Sequence, residues 1–274
     1  MKRRAAWIIA VALATALWPA IGTAAGPVFR DEFDSLRIWD GQSGWRVTGG
    51  PQWFNAGRVV PQGTEPFNYE IGWYLNPRYR PTTVRPFSAS NGKLTIKAVA
   101  YPQKTYFDLF PYTTGMINSY RWVHRLYGYF EMRAQLAEGK GFFPAFWLLP
   151  VDGSHGEIDV MEVLGNDPTA LYSTVHSYSS GKLVSTGQHR TIPDASREFH
   201  RYGVDWQRDF ITWYFNGRRI FRTRTPPDLH KPMYMIVNLA VGGRWPGKPK
   251  DGSAARITVD YVRVYRAAAD AGLE

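Results

Sequence analysis

The chain of 274 residues has no cysteine, 44% hydrophobic and 20% charged residues, and a formal charge of +10. These figures exclude disulfides, thiolate metal sites and cysteine nucleophiles, exclude disorder for the bulk of the chain, and fit one sizeable all-β domain. Its 11 Trp, 16 Tyr and 15 Phe exceed what a core of this size needs, so part of that aromatic set is expected to line a surface.

The chain opens with Met1-Lys2-Arg3-Arg4, an apolar stretch from Ala5 to Trp18, and the small residues Thr23-Ala24-Ala25. That layout predicts a secretory signal peptide over residues 1–25, cleaved near Ala25. The apolar run is broken at Pro19 and Gly22 and is too short for a span of about 20 residues. The remainder, 26–274, is expected to be a single secreted domain, extracellular or periplasmic, with no stable membrane insertion. Loss of Lys2, Arg3 and Arg4 lowers the formal charge from +10 to +7, a balance that in an exported protein points to anionic surfaces or polymers rather than nucleic acid.

From Pro61 to Asn91 five prolines alternate with Tyr69, Trp73, Tyr74 and Tyr79, the signature of a long aromatic loop. Beyond it the pattern is period two. Leu94, Ile96 and Ala98 alternate with Thr95 and Lys97, and Phe130, Met132, Ala134 and Leu136 alternate with Tyr129, Glu131, Arg133 and Gln135. Further strands are predicted over 143–149, 157–163, 171–178, 233–241 and 256–265. Phe210 to Phe215, Asn216-Gly217 and Arg218 to Arg222 read as a hairpin. No stretch shows a long amphipathic helix. Many short strands without alternating helices predict two antiparallel sheets face to face, a β-sandwich of the jelly-roll kind.

The sharpest feature is Gly156-Glu157-Ile158-Asp159-Val160-Met161-Glu162-Val163. A regular strand puts Glu157 and Asp159 on one face and Glu162 on the other. The apolar residues change phase between Val160 and Met161, so one extra residue there, a β-bulge, restores all three carboxylates to one face. Three co-facial acids repel one another and need a reason. Calcium binding is one, and glycoside hydrolysis by a carboxylate pair is another.

Several blocks closely resemble glycoside hydrolase family 16, the laminarinase and lichenase family. They are Asp31-Glu32-Phe33-Asp34, Asn91-Gly92-Lys93-Leu94, Thr114-Gly115-Met116-Ile117-Asn118, Tyr127-Gly128-Tyr129-Phe130-Glu131, Pro144-Ala145-Phe146-Trp147, Glu157 to Glu162, Asn238-Leu239-Ala240-Val241-Gly242-Gly243 and Asp260-Tyr261-Val262-Arg263-Val264-Tyr265. The resemblance implies a concanavalin-like jelly roll with a concave substrate cleft, and a retaining endo-β-glycanase acting on a β-1,3/1,4-type glucan or a bacterial exopolysaccharide. It implies Glu157 as nucleophile, Asp159 as the residue that tunes the pair and Glu162 as acid/base. It further implies sugar contacts from Glu70, Trp122, Trp147, His176, Asn238 and Trp245. No catalytic cofactor is expected, and Asp260 is the candidate ligand of a structural calcium. Gly72 stands where the family commonly has Gln, and Phe143 where it has Trp. A polysaccharide substrate and a monomer are expected. A transglycosylase on the same scaffold and a non-catalytic lectin remain alternatives, the second opposed by the complete carboxylate set.

Overall fold

The computed structural model describes residues 25–47, 52–55, 58–61, 70–76, 84–101 and 110–273. The predicted leader up to residue 24, together with Tyr69, Arg78, Tyr79 and Arg80 of the aromatic segment, lies outside them. The strands in chain order are β1 (Phe29–Asp31), β2 (Arg46–Val47), β3 (Gln52–Asn55), β4 (Arg58–Pro61), β5 (Gly72–Tyr74), β6 (Phe87–Ser90) and β7 (Lys93–Ala100). Then follow β8 (Tyr112–Thr114), β9 (Met116–Asn118), β10 (His124–Arg125), β11 (Gly128–Gln135), β12 (Phe142–Pro150), β13 (Glu157–Val163) and β14 (Ala170–Ser177). The last are β15 (Val184–Thr191), β16 (His200–Trp206), β17 (Phe210–Phe215), β18 (Arg218–Arg224), β19 (Met233–Val241) and β20 (Ala254–Tyr265). Helical structure among the described residues is confined to two short 3-10 turns, Pro227–Leu229 and Ala268–Ala271.

One sheet runs β18-β17-β16-β11-β20-β7-β8-β5, with β1 on β20 and β6 on β7. The other runs β15-β14-β13-β12-β19-β9-β2, with β10 on β19. Neighbours are antiparallel except β5 and β8, and β3 and β4 form a separate pair. The aromatic segment is thus not wholly loop, since Gly72–Tyr74 and Phe87–Ser90 are strands. The predicted hairpin is β17 and β18, with positive φ at both Asn216 and Gly217, as a two-residue turn of matching twist requires.

The inner faces of the two sheets meet in one apolar cluster that includes Leu94, Ile96, Phe130, Met132, Phe146, Leu148, Trp206, Trp213, Val237 and Val259. Strand β13 contributes Ile158, Val160, Met161 and Val163, none more than 2% exposed. At about 1.5–3 kcal/mol for each fully buried side chain, this apolar face anchors the strand against the repulsion of the acids on its other face.

Candidate active site

The register of β13 shifts against both neighbours. Against β12, Phe146 pairs with Met161 and Trp147 with Asp159, leaving Val160 unmatched. Against β14 the shift lies between Asp159 and Glu162. The predicted bulge is therefore present, and it turns Glu157, Asp159 and Glu162 to one face while all four apolar residues stay in the core. Its backbone is held from beneath, because the Trp213 indole N–H on β17 donates to the Asp159 carbonyl across the sandwich at 2.8 Å.

Directly paired residues share a face, so the site continues across the neighbouring strands in three rows. Glu157 is opposite His176, which is opposite Ser185. Asp159 lies between Trp147 on one side and Thr174, then Gly187, on the other. Glu162 lies between Ala145 and Tyr172, and Tyr172 is opposite His189. The ring of His176 sits between strands, with Nε2 3.0 Å from Asp159 Oδ2 and Nδ1 2.7 Å from Ser185 Oγ. One ligating atom each from Glu157, Asp159 and His176 falls within a 4.8 Å cluster.

The carboxyls are electrostatically linked. Burial, and then the charge of Asp159, push Glu157 well above the usual carboxylate range, with His176 opposing. Asp159 is driven the same way by burial and by Glu162. Burial, and then Glu157, raise Glu162 to about 8. One carboxylate oxygen of Glu157 and one of Asp159 lie within 4.8 Å of each other, so ionising both at once is opposed by their mutual repulsion. Asp159 is 2% exposed and lies on the same face as both glutamates, with the His176 ring as its nitrogen partner.

On the β12 and β19 side a hydrogen-bonded chain leads away from the acids. The Trp147 indole N–H donates to Asn238 Oδ1 (2.8 Å), Asn238 Nδ2 to the Tyr74 hydroxyl (3.2 Å), and that hydroxyl to Glu70 Oε2 (2.9 Å). Burial and Glu70 push the Tyr74 hydroxyl well above its ordinary value, so it remains a donor. On the other side, Trp245 is 46% exposed and meets Tyr172 edge-on at 4.8 Å and Phe143 at 5.3 Å.

Residues 78–263 of the chain match glycosyl hydrolases family 16. The chain belongs to that family. It is 43% identical over 248 residues to the Endo-1,3-1,4-beta-glycanase ExsH of Rhizobium meliloti (strain 1021), covering 88% of this chain and 52% of that relative. The chain thus spans about half the length of that relative. A Beta-glucanase of Rhodothermus marinus is 29% identical across 97% of this chain and 95% of its own. The catalytic domain of an endo-1,3-beta-glucanase (laminarinase) from Thermotoga petrophila RKU-1 superposes with a TM-score of 0.72 at 30% identity, covering 88% of this chain and 97% of that one. The sandwich described above is the family 16 jelly roll.

This family 16 chain gathers Glu157, Asp159, Glu162, Trp147 and His176 in one place and connects Asn238, Glu70 and Trp245 to them. Two expectations need correction. Trp122 packs edge-on against Phe29 at 5.2 Å and Trp45 at 5.6 Å, with Arg37 over its ring at 5.1 Å, so its ring is occupied by core packing. Asp260 accepts a hydrogen bond from Arg133 and has Lys93 Nζ at 3.8 Å. Two cationic side chains already neutralise that carboxylate, which does not fit a calcium ligand. Tyr74, Tyr172 and His189 were not foreseen. Tyr172 was findable, because it alternates with Thr174 and His176 on a predicted strand. Tyr74 lies among prolines, where no period marks a face.

Proposed function

We propose that this chain is a retaining endo-β-glycanase, hydrolysing internal bonds of a β-1,3/1,4-type glucan or a related bacterial exopolysaccharide by double displacement. The observation that carries the reading is the bulge that places Glu157, Asp159 and Glu162 on one face, with Glu162 holding a proton up to about pH 8. The printed activities of the relatives, an endo-1,3-1,4-beta-glycanase and an endo-1,3-beta-glucanase among them, support the substrate class.

In the first step a Glu157 carboxylate oxygen bonds to the anomeric carbon as the glycosidic C–O bond breaks, and the Glu162 proton passes to the departing oxygen. In the second, water attacks the same carbon, its proton returns to Glu162, and the bond to Glu157 breaks. Asp159, on the same face beside Glu157, shares the proton load of the pair, so that Glu157 can ionise for attack. His176, 3.0 Å from Asp159, orients the partner. The chemistry draws on these side chains and needs no cofactor. No helix among the described residues is long and apolar enough to cross a membrane. With the leader predicted over residues 1–25, the reading is of a secreted monomer that works on a polysaccharide outside the cytoplasm.

Glu157→Ala is expected to lose all but a few per cent of turnover while keeping its fold, and azide is expected to restore cleavage of an activated β-glycoside to the α-glycosyl azide. Proton NMR of early wild-type products is expected to show the β anomer first. Retained activity in the variant, or an α product first, would refute the assignment.

A further inference from the structure

The three cross-strand rows enclose a groove on the side of β13 that faces β14 and β15. Its floor is Thr174 and then Gly187, in the row of Asp159. One wall is Glu162, Tyr172 and His189; the other is Glu157, His176 and Ser185. The Tyr172 and His189 rings stack at 5.1 Å with 26° between planes, close to the spacing of adjacent strands, so they stand upright as a continuous wall. Trp245 buttresses that wall. Ser185 is tied to His176 in the opposite wall. At Gly187 the floor has no side chain, and a Cβ there would come within 2.8 Å of Thr174 Oγ1 and of the Ser173 carbonyl oxygen. From β13 to β15 the groove is about 10 Å long.

The other side of β13 is differently furnished. There the sheet face is closed by Tyr74, Met116, Leu149, Tyr234 and Ile236, all buried, and the hydrogen-bonded chain to Glu70 runs over it. A sugar chain crossing between Glu157 and Glu162 therefore has an open channel over β14 and β15. Glu162 must reach the departing oxygen, and its wall continues into that channel through Tyr172.

We infer that the Thr174–Gly187 groove holds the leaving-group side of the substrate, with Gly187 and His189 as the residues that admit and guide a second leaving-group sugar. The first leaving-group sugar lies over Thr174 against Tyr172. The second lies over Gly187, where a side chain would fill its place, with the His189 ring beside it.

The inference rests on the hydrolase reading, and product patterns separate the two. A β-glucan oligosaccharide labelled at its reducing end is digested by wild type, Gly187→Val and His189→Ala, and each is also assayed on an aryl β-oligosaccharide whose leaving group is a single ring. Wild type is expected to release labelled fragments of two or more sugars. Gly187→Val is expected to shift release to the labelled monosaccharide and to lose at least tenfold in kcat/KM on the polymer, against less than threefold on the aryl substrate. His189→Ala, which adds no bulk and keeps the strand intact, is expected to lose about threefold to tenfold on the polymer with the same split. An active wild type whose fragment pattern survives both substitutions, or equal losses on both substrates, overturns the groove assignment alone. A wild type that cleaves neither substrate overturns the hydrolase reading and this inference with it.

Discussion

In the proposed mechanism Glu162 trades stability for chemistry. Its carboxyl is raised from 4.5 to about 8 by burial and by Glu157, so the folded state binds this proton more tightly than the unfolded one. The stabilisation it brings is complete below the unfolded value, and is lost as pH rises through about 8, where the folded group ionises. Glu162→Gln, which cannot ionise, is therefore expected to melt a few degrees above wild type at pH 8.5 and level with it at pH 4, measured by thermal unfolding. On the proposed mechanism the same proton sets the alkaline limb of activity. Wild-type kcat/KM on natural polymer is expected to fall above about pH 8, whereas Glu162→Gln is slow on polymer at every pH and far less impaired on aryl substrates that need no proton.

At the scale of the element, the bulge in β13 depends on the opposite sheet. The Trp213 side chain is fully buried and its N–H reaches the Asp159 carbonyl. Trp213→Phe keeps an aromatic ring but leaves that carbonyl unpaired in the core, at a cost of about 1–3 kcal/mol, or about 2–4 °C in Tm for each kcal/mol. On the proposed mechanism this carbonyl belongs to the residue that tunes the nucleophile, so kcat is expected to fall more than KM rises. An unchanged kcat beside a lowered Tm would confine Trp213 to packing. The bulge itself was legible in the sequence, because two adjacent apolar residues, Val160 and Met161, cannot both face the core of a regular strand. The Asn216-Gly217 hairpin was legible because the turn demands positive φ twice. Strand β15 was not, since all eight of its residues are exposed and carry no alternation. Strand β16 escaped although Tyr202, Val204 and Trp206 alternate inward. Trp122 was misplaced because its partners, Phe29 and Trp45, lie far from it in the chain and no local pattern reports them.

Across the whole molecule the formal charge is +10, and part of it lies on the catalytic face. Arg46 shares the row of Asn118, Ile236, Trp147 and Asp159, four strands and about 19 Å from β13. Its guanidinium lies 5.5 Å from the Tyr120 ring, with that of Arg121 5.7 Å from the same ring. An acidic polysaccharide gains from this arrangement and a neutral glucan does not. KM on an acidic exopolysaccharide is therefore expected to rise steeply with salt as the Debye length shortens to about 8 Å at 0.15 M, while KM on lichenan or laminarin barely moves. Parallel behaviour of the two polymers would remove long-range attraction from substrate choice.

The edge position of β15 bears on how such an enzyme changes its diet. Strand β13 is clamped between two neighbours and pinned from below, so substitutions there disturb contacts on several sides. Strand β15 is bonded along one side to β14 and touched on the other by the Arg190 side chain donating to the Ile220 carbonyl. Exposed substitutions away from close contacts are usually worth less than about 0.5 kcal/mol, and His189 faces the site from this strand, whereas Gly187 is held to glycine by the Ser173 carbonyl. New preferences for what departs from the cut can thus arise by drift along one cheap strand, while the machinery that makes the cut is inherited unaltered.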